Sequence, residues 1–311
     1  MLFTVLFYIF VVVTVIQIFY YLSFYIFAFD KKNIKPKVKN IPVSIIILIK
    51  NEEDYLNQYI KNILEQNYSN FEVVLVNNAS SDNTLDVIEN LQKKHSNIKL
   101  VNVKNTEAFW GSNKYALTLG IKAASYEHLL FTETRSIPIS KNWINEMIIN
   151  FSEEKTIVLG YEKIKIKKLS INNLLFRFDN ILETIQSFSY TKIDTPYRGY
   201  SSNLAYTKTD FFKVNGFINH LNIFMGESDL FIKDAGTNKN TVTTTDFNSF
   251  VESSIDYSFN YWFSKKRKQS IITSLYKFKH QFFLKLFKIT KTIFYLLAIF
   301  LTVLNLSLIH I

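Results

Sequence analysis

The sequence predicts an α/β fold with a mostly parallel sheet, flanked at both ends by transmembrane helices. Three observations carry that expectation. β-rich apolar runs alternate with helical periodicities between Pro42 and about Ser270, polar groups gather just after those runs, and an uncharged apolar segment stands at each end of the chain.

Taken in order, Leu2 to Phe29 carries no charge and only Gln17 as a strongly polar residue, and a bilayer core needs about 20 apolar residues. A cleaved signal peptide fits poorly: the run is about twice the usual apolar length of such a leader, no basic segment precedes it, and no small-residue cleavage site precedes Asp30. Residues 1–29 are therefore expected as a transmembrane helix and residues 30–41 as a basic linker. Val43 to Ile49, Phe71 to Val76, Ile98 to Val103 and His128 to Thr132 read as buried strands. Between the first two, Tyr55, Ile60, Ile63 and Leu64 recur at helical spacing. Asn83 to Leu91 places Leu85, Ile88 and Leu91 on one helical face, and Trp143 to Ile149 begins another helix. After the α/β region, residues 42–270, comes a basic juxtamembrane segment, 271–291, and then an uncharged run at 292–311, long enough to span or to be the remnant of a longer membrane region.

Charge orients the two spans. Lys31, Lys32, Lys35, Lys37 and Lys39 follow the first, and Lys277, Lys279, Lys285, Lys288 and Lys291 precede the second, so both basic flanks border the middle region, which is expected on the cytoplasmic side. The net charge of +10 is read as attraction to anionic membrane surfaces, because the lysines gather beside apolar spans. No nucleic-acid partner is expected, since no recognition motif accompanies them. Zero Cys excludes disulfides and thiolate metal sites, and the five scattered His form no readable zinc cluster.

The stretch IPVSIIILIKNEEDYLNQYIKNILEQNYSNFEVVLVNNASSDNT, Ile41 to Thr84, places a polar turn at the end of each of two strands, where an open α/β sheet binds its ligand. It resembles the opening of family 2 glycosyltransferases. The resemblance continues through FWGSNKYALTLGIKAA (Phe109 to Ala124), the turn Glu133-Thr134-Arg135, TPYRGYSSNLAYTKTDFFKVNGF (Thr195 to Phe217) and MGESDLF (Met225 to Phe231), and it ends at NYWFSKKRKQS (Asn260 to Ser270).

It implies a GT-A fold and inverting transfer of a sugar from a nucleotide-diphosphate donor to the hydroxyl of an unidentified lipid or saccharide acceptor. It also implies a general base, here Glu227 with Asp229 beside it, and donor contacts from Asn51, Glu52, Asn78, Asp82, Lys114, Arg135 and Asn203. A divalent cation, Mg²⁺ or Mn²⁺, is implied on an Asp-x-Asp turn. Here that turn is Glu133-Thr134-Arg135, so Glu133 is the expected metal ligand and a fixed cation stands at the second ligand position. Simpler readings stand beside these: Asn51, Glu52 and Asp82 as caps and turn formers, Asp229 as an acid favoured at a helix start. The rival function, from a different class, is a catalytically inactive membrane protein that keeps the fold for binding or assembly.

Overall fold

The computed structural model describes residues 2–28, 40–106, 109, 112–193, 195–254 and 258–309. The lysines from Lys31 to Lys39, together with Trp110, Gly111 and Ile311, lie outside the described residues. In chain order the first elements are α1 (Leu2–Ala28), β1 (Val43–Ile49), α2 (Glu53–Leu64), β2 (Phe71–Asn78), α3 (Thr84–Lys94), β3 (Ile98–Val103), α4 (Asn113–Ala123) and β4 (His128–Thr132). Next come β5 (Ser136–Pro138), α5 (Trp143–Ile148), β6 (Ile157–Leu159), β7 (Glu162–Ile164), α6 (Ile171–Ile193), β8 (Leu204–Thr207) and α7 (Lys208–Lys213). The last are α8 (Glu227–Ala235), β9 (Thr241–Thr243), β10 (Val251–Ser253), α9 (Phe259–Thr273) and α10 (Phe278–Ile309).

Residues 32–272 form one compact unit, and segments 1–31 and 273–311 together form the other. In the first, seven strands among the described residues make a sheet in the order β3-β2-β1-β4-β8-β6-β9. The pairs β3–β2, β2–β1, β1–β4 and β6–β9 are parallel, while β8 runs antiparallel to both β4 and β6. This is the mostly parallel α/β sheet the sequence predicts. A smaller sheet, β5-β10-β7, stands beside it. The order 3-2-1-4 reverses direction between β1 and β4, and a crevice at such a switch point lies outside the carboxyl ends of the strands.

β1 is apolar because both its faces are covered: Val43, Ile45, Ile46, Ile47 and Ile49 are fully buried, each worth roughly 1.5–3 kcal/mol. α2 buries Leu56, Ile60 and Ile63 against the sheet. Tyr55, expected on that face, instead turns outward beneath a guanidinium, since Leu56 completes the i, i+4, i+7 stripe with the two isoleucines. β2 runs two residues past its expected end, to Asn78, because Asn77 and Asn78 still pair with Asn102 and Val103 of β3.

In the second unit α1 and α10 pair antiparallel. Phe10 stacks on Phe294 at 5.4 Å, Gln17 Nε2 donates to Thr290 Oγ1 at 2.7 Å, and the Tyr20 hydroxyl donates to the Phe283 carbonyl at 2.8 Å. The segments Phe3–Tyr25 and Phe278–Val303 are long and apolar enough to cross a membrane. The basic segment and the apolar run after it, expected as separate pieces, share one helix from Phe278 onward, as no Pro or Gly interrupts them.

Candidate active site

Two cavities lie side by side beyond the ends of β1 and β4. The first, about 310 Å³, is lined by apolar Ile46, Leu48, Leu117, Phe131 and Phe217 and by polar Lys50, Glu52, Glu133, Arg135 and Glu227. The second, about 480 Å³, is lined mainly by polar side chains, including Glu162, Arg198, Asp229 and Lys265. Glu133, Arg135, Ser201, Glu227 and Ser228 belong to both linings and form the wall between them.

The turns after β1 and β2 are locked to each other. Asn51 and Ala79 take left-handed backbone conformations with φ of 54° and 50°, which for Ala costs roughly 1–2 kcal/mol. Asn51 Oδ1 accepts from the Ser81 N–H at 2.8 Å, and its own N–H donates to Ser80 Oγ at 3.0 Å. Asp82 accepts from the N–H groups of Thr84 at 3.1 Å and Glu53 at 3.4 Å. Burial works to raise the Asp82 carboxyl, and the hydrogen bonds from Thr84 and Glu53 outweigh it, holding it below its ordinary value. Asn51 and Asp82 thus cap and join the two turns at the rim of the first cavity.

Glu52 projects from this turn into the cavity. Its carboxylate accepts from the Arg135 Nε at 3.1 Å and from the Thr134 hydroxyl, and its N–H donates to Thr84 Oγ1 at 3.0 Å. Burial raises its pKa while Arg135 opposes the shift. The Arg135 guanidinium lies 4.2 Å above the Tyr55 ring, so it is held by charge on one side and by the ring face on another. Glu133 accepts from the Ser201 hydroxyl. Glu133 keeps an edge in solvent while protein atoms crowd it within the cleft. That desolvation, then the charge of Glu162, pushes its carboxyl up to about 7.

Glu227 opens α8 directly after Gly226, whose φ of 82° suits glycine and where a Cβ would stand 2.5 Å from Ile272 Cδ1. Its Oε1 is buried with no hydrogen-bond partner. Asp229, two residues on, accepts from the Gly199 N–H at 3.3 Å and ties α8 to the segment before β8. That segment is anchored from behind. Arg198 Nη1 donates to Glu183 at 2.8 Å, and Lys266 bridges Glu183 and Asp179, the latter at 2.5 Å. Burial works to raise Glu183, but Arg198 and then Lys266 hold it down to about 2.

Three expected donor contacts lie elsewhere. Lys114 is 1% exposed, its ammonium donating to the carbonyls of Ile223 at 2.5 Å and Met225 at 2.8 Å, so it holds the loop ahead of Glu227 instead of reaching a ligand. Asn78 is fully buried and donates to Asn113 Oδ1 at 3.1 Å. Asn203, also fully buried, accepts from Trp143 Nε1 at 3.1 Å and donates to the carbonyls of Tyr161 and Ser249, each at 2.9 Å. It joins α5 to the residues just before β7 and β10, behind the site. Glu162, Arg198, Ser201 and Lys265 were not expected at the site. Arg198 and Ser201 sit inside a stretch already singled out, but Glu162 lies in a three-residue strand with no motif.

The donor set does not fit a hard divalent cation. Both Glu52 oxygens are engaged by Thr134 and Arg135, Arg135 stands where a second carboxylate is implied, and among the described residues no group of three His, Cys, Asp or Glu is placed to hold a metal. Glu133, the expected metal ligand, accepts from Ser201 and has the Arg135 cation two residues on.

The family model described as glycosyl transferase family 2 matches residues 44–206, more than half of the chain. The chain belongs to glycosyl transferase family 2. An uncharacterized glycosyltransferase of Haemophilus influenzae is 30% identical to this family 2 chain over 140 residues, covering 42% of the chain and 40% of the relative. The poly-beta-1,6-N-acetyl-D-glucosamine synthase of Staphylococcus epidermidis is 26% identical over 153 residues, 49% of the chain and 33% of the synthase. The chain thus matches well under two thirds of the length of either relative. The mannosyltransferase PcManGT from Pyrobaculum calidifontis, solved with GDP-Man and Mn²⁺, superposes with a TM-score of 0.64 at 15% identity, over 97% of this chain and 92% of that one. A TarS fragment from S. aureus with UDP-GlcNAc gives 0.50 at 18% identity, over 70% and 59%. Both likenesses carry the GT-A fold.

Proposed function

We propose that this family 2 domain transfers a sugar, with inversion, from a nucleotide-diphosphate donor to an acceptor hydroxyl. The observation that carries the reading is Glu227, a carboxylate with an unpartnered buried oxygen in the wall between two cavities, fixed by a glycine turn at the start of α8. Glu227 takes the acceptor proton as the acceptor oxygen bonds to the anomeric carbon, and the bond from that carbon to the diphosphate breaks. A single displacement inverts the centre, and the nucleoside diphosphate leaves with the bonding electrons. Arg135, already at the cavity wall, pairs with the diphosphate as charge develops there. Asp229 sets the loop beside the base. The first cavity, with its apolar lining next to the two joined turns, takes the nucleotide. The paired helices α1 and α10 anchor the protein in the membrane, with the domain on the cytoplasmic side.

A second reading, a non-catalytic domain that binds without turnover, is favoured by one observation, the donor set that does not fit a divalent cation. One experiment separates the two. In the transferase reading, Glu227→Gln lowers turnover by about 10²–10⁴-fold while nucleotide-sugar affinity stays within about twofold, because Gln keeps the volume and loses the proton acceptor. Absence of turnover in the parent across a panel of nucleotide-sugars and acceptors, with nucleotide still bound, supports the non-catalytic domain. Turnover untouched by the substitution removes Glu227 from the mechanism and points to Asp229.

A further inference from the structure

Over its first turns α6 is inside out for a helix in water. Asn173, Asn180, Thr184 and Ser187 recur at helical spacing on its buried face, while Ile171, Leu174, Leu175 and Phe178, spaced i, i+3, i+4 and i+7, are each more than half exposed. The inward polar groups have partners. Asn173 Nδ2 donates to the Lys165 carbonyl at 2.9 Å and its Oδ1 accepts from the Lys167 N–H at 3.0 Å. Asn180 Nδ2 donates to the Glu162 carbonyl at 2.6 Å, and the hydroxyls of Thr184 and Tyr200 pair at 2.7 Å. These bonds clamp the loop between β7 and α6 to the head of the helix. In that loop Leu169 takes a left-handed backbone conformation, φ 58°, which leucine rarely adopts, and its side chain is fully exposed. Apolar side chains gain nothing from facing water, so the stripe and the loop leucine point to an apolar environment outside the domain.

We infer that this face of α6, with the Leu169 loop, is a lipid-binding surface of the domain that lies in the plane of a leaflet rich in anionic headgroups. Charge chooses that occupant over a protein. From Lys165 to Phe178 the chain carries four cations, Lys165, Lys167, Lys168 and Arg177, and no acid, the composition of a helix that sinks its apolar side among anionic headgroups. Contact surfaces between proteins are instead depleted in lysine. The next acids along the helix, Asp179 and Glu183, are paired with Lys266 and Arg198, so the positive charge stands. The same chain also carries two helices long and apolar enough to cross a bilayer, which would hold the domain near one at high effective concentration. The inference is independent of the transferase reading and draws on the anchoring reading only for the nearness of a bilayer. Its consequence is a domain whose seat on the leaflet depends on lipid charge.

The chain has no cysteine, so an introduced one reports a single site. The test spin-labels the full chain bearing Leu169→Cys or Leu174→Cys, with Lys93→Cys on an exposed position of α3 as the water reference and Phe7→Cys on α1 as the reporter of the anchor. Each is placed in nanodiscs of phosphatidylcholine alone or mixed equally with phosphatidylglycerol, and the label's accessibility to oxygen is compared with that to a water-soluble nickel chelate. In the mixed discs the labels at 169 and 174 are expected to favour oxygen by about tenfold or more over their value in phosphatidylcholine, while the label at 93 reads water in both. Lys167→Glu with Lys168→Glu is expected to return the label at 174 to water. Water at both 169 and 174 in the mixed discs, with the label at 7 in lipid, overturns the inference and leaves the anchor standing. An apolar reading that is equal in both lipids, or that appears only with two chains in a disc, makes the face a contact between proteins and overturns it as well, as does an apolar reading at 174 that survives the two lysine substitutions. Lipid at 169 and 174 with water at 7 supports the surface and removes the anchor.

Discussion

At Arg135 a single side chain decides how the site handles negative charge. Its guanidinium is fixed by Glu52 and by the Tyr55 ring in the wall of both cavities, so in the proposed transferase a diphosphate would meet a permanent cation without recruiting one from solution. Nucleotide-diphosphate affinity of the parent is expected to change by less than about threefold on adding EDTA, whereas Arg135→Asp should bind weakly in EDTA and recover at least about tenfold with Mn²⁺, read by calorimetric titration. Tight binding by the parent that collapses in EDTA would contradict this. Lys114 acts at one remove. Its buried ammonium holds the carbonyls of Ile223 and Met225 just before Gly226, and burial lowers its pKa while the Glu227 charge opposes the shift. Lys114→Met leaves two carbonyls without their donor and removes a cation from the neighbourhood of the base. Turnover is expected to fall by about tenfold or more and its acidic limb to move to higher pH, with nucleotide affinity little changed, since Lys114 does not line the first cavity. An unmoved pH profile would reduce Lys114 to packing alone.

Among the elements, α6 and α9 work as the back plate of the site. Glu183 of α6 receives Arg198 from the segment before β8 and Lys266 from α9, and that ion network, not a covalent link, holds three distant stretches together. Glu183→Gln removes the carboxylate that Arg198 and Lys266 share, with Asp179 still on Lys266, and is expected to cost about 3–5 kcal/mol, measured as a fall in melting temperature. The sign with pH follows from the lowered carboxyl. The folded state holds Glu183 ionised down to about 2, against an ordinary value of 4.5, so its contribution is present above about 4.5 and is lost as pH falls through about 2. Glu133 runs the opposite way: raised to about 7, it contributes most below about 4.5 and loses that contribution as pH rises through 7. The melting curve of the parent should therefore lose an acid-sensitive increment that Glu183→Gln lacks. A parallel acid loss in both proteins would contradict the network's role. Much of the element order was legible beforehand, since β1, β2 and β4 carry continuous apolar runs with polar ends. The short strands β6, β7, β9 and β10 were not, because three residues are too few to display a period.

For the molecule as a whole, the antiparallel pairing of α1 with α10 returns the two ends of the chain toward the same face of that unit. With lysines after the first apolar segment and before the second, the proposed membrane anchoring predicts one topology. A reporter inserted after Asn40 is expected to read cytoplasmic, and one fused after Ile311 to read the opposite side. A cytoplasmic reading at Ile311 would mean that α10 lies along the membrane surface instead of crossing it. Gln17 supports the pairing from inside: a strongly polar residue within an uncharged 27-residue helix is costly toward lipid, and Thr290 and the Phe287 carbonyl both accept from its amide nitrogen.

What the sequence determined by itself is local. Apolar runs without alternation marked the parallel strands, the polar residues after them marked turns at the first cavity, and the glycine of Gly226-Glu227 in a glycine-poor chain marked the left-handed turn that opens α8. Tertiary structure decided which polar residues remain accessible. Asn78, Lys114 and Asn203 look like ligand contacts in one dimension, yet each is enclosed by partners 35 to 111 positions away in the chain. The two cavities are likewise assembled from Glu52, Glu133, Glu162, Arg198, Glu227 and Lys265, which meet only after the sheet has formed. The physical reason is that periodicity reports the face a residue turns to its own element's surroundings. Whether a charge on that face meets solvent, a ligand or a buried carbonyl depends on contacts between segments far apart in the chain, and no local pattern encodes them.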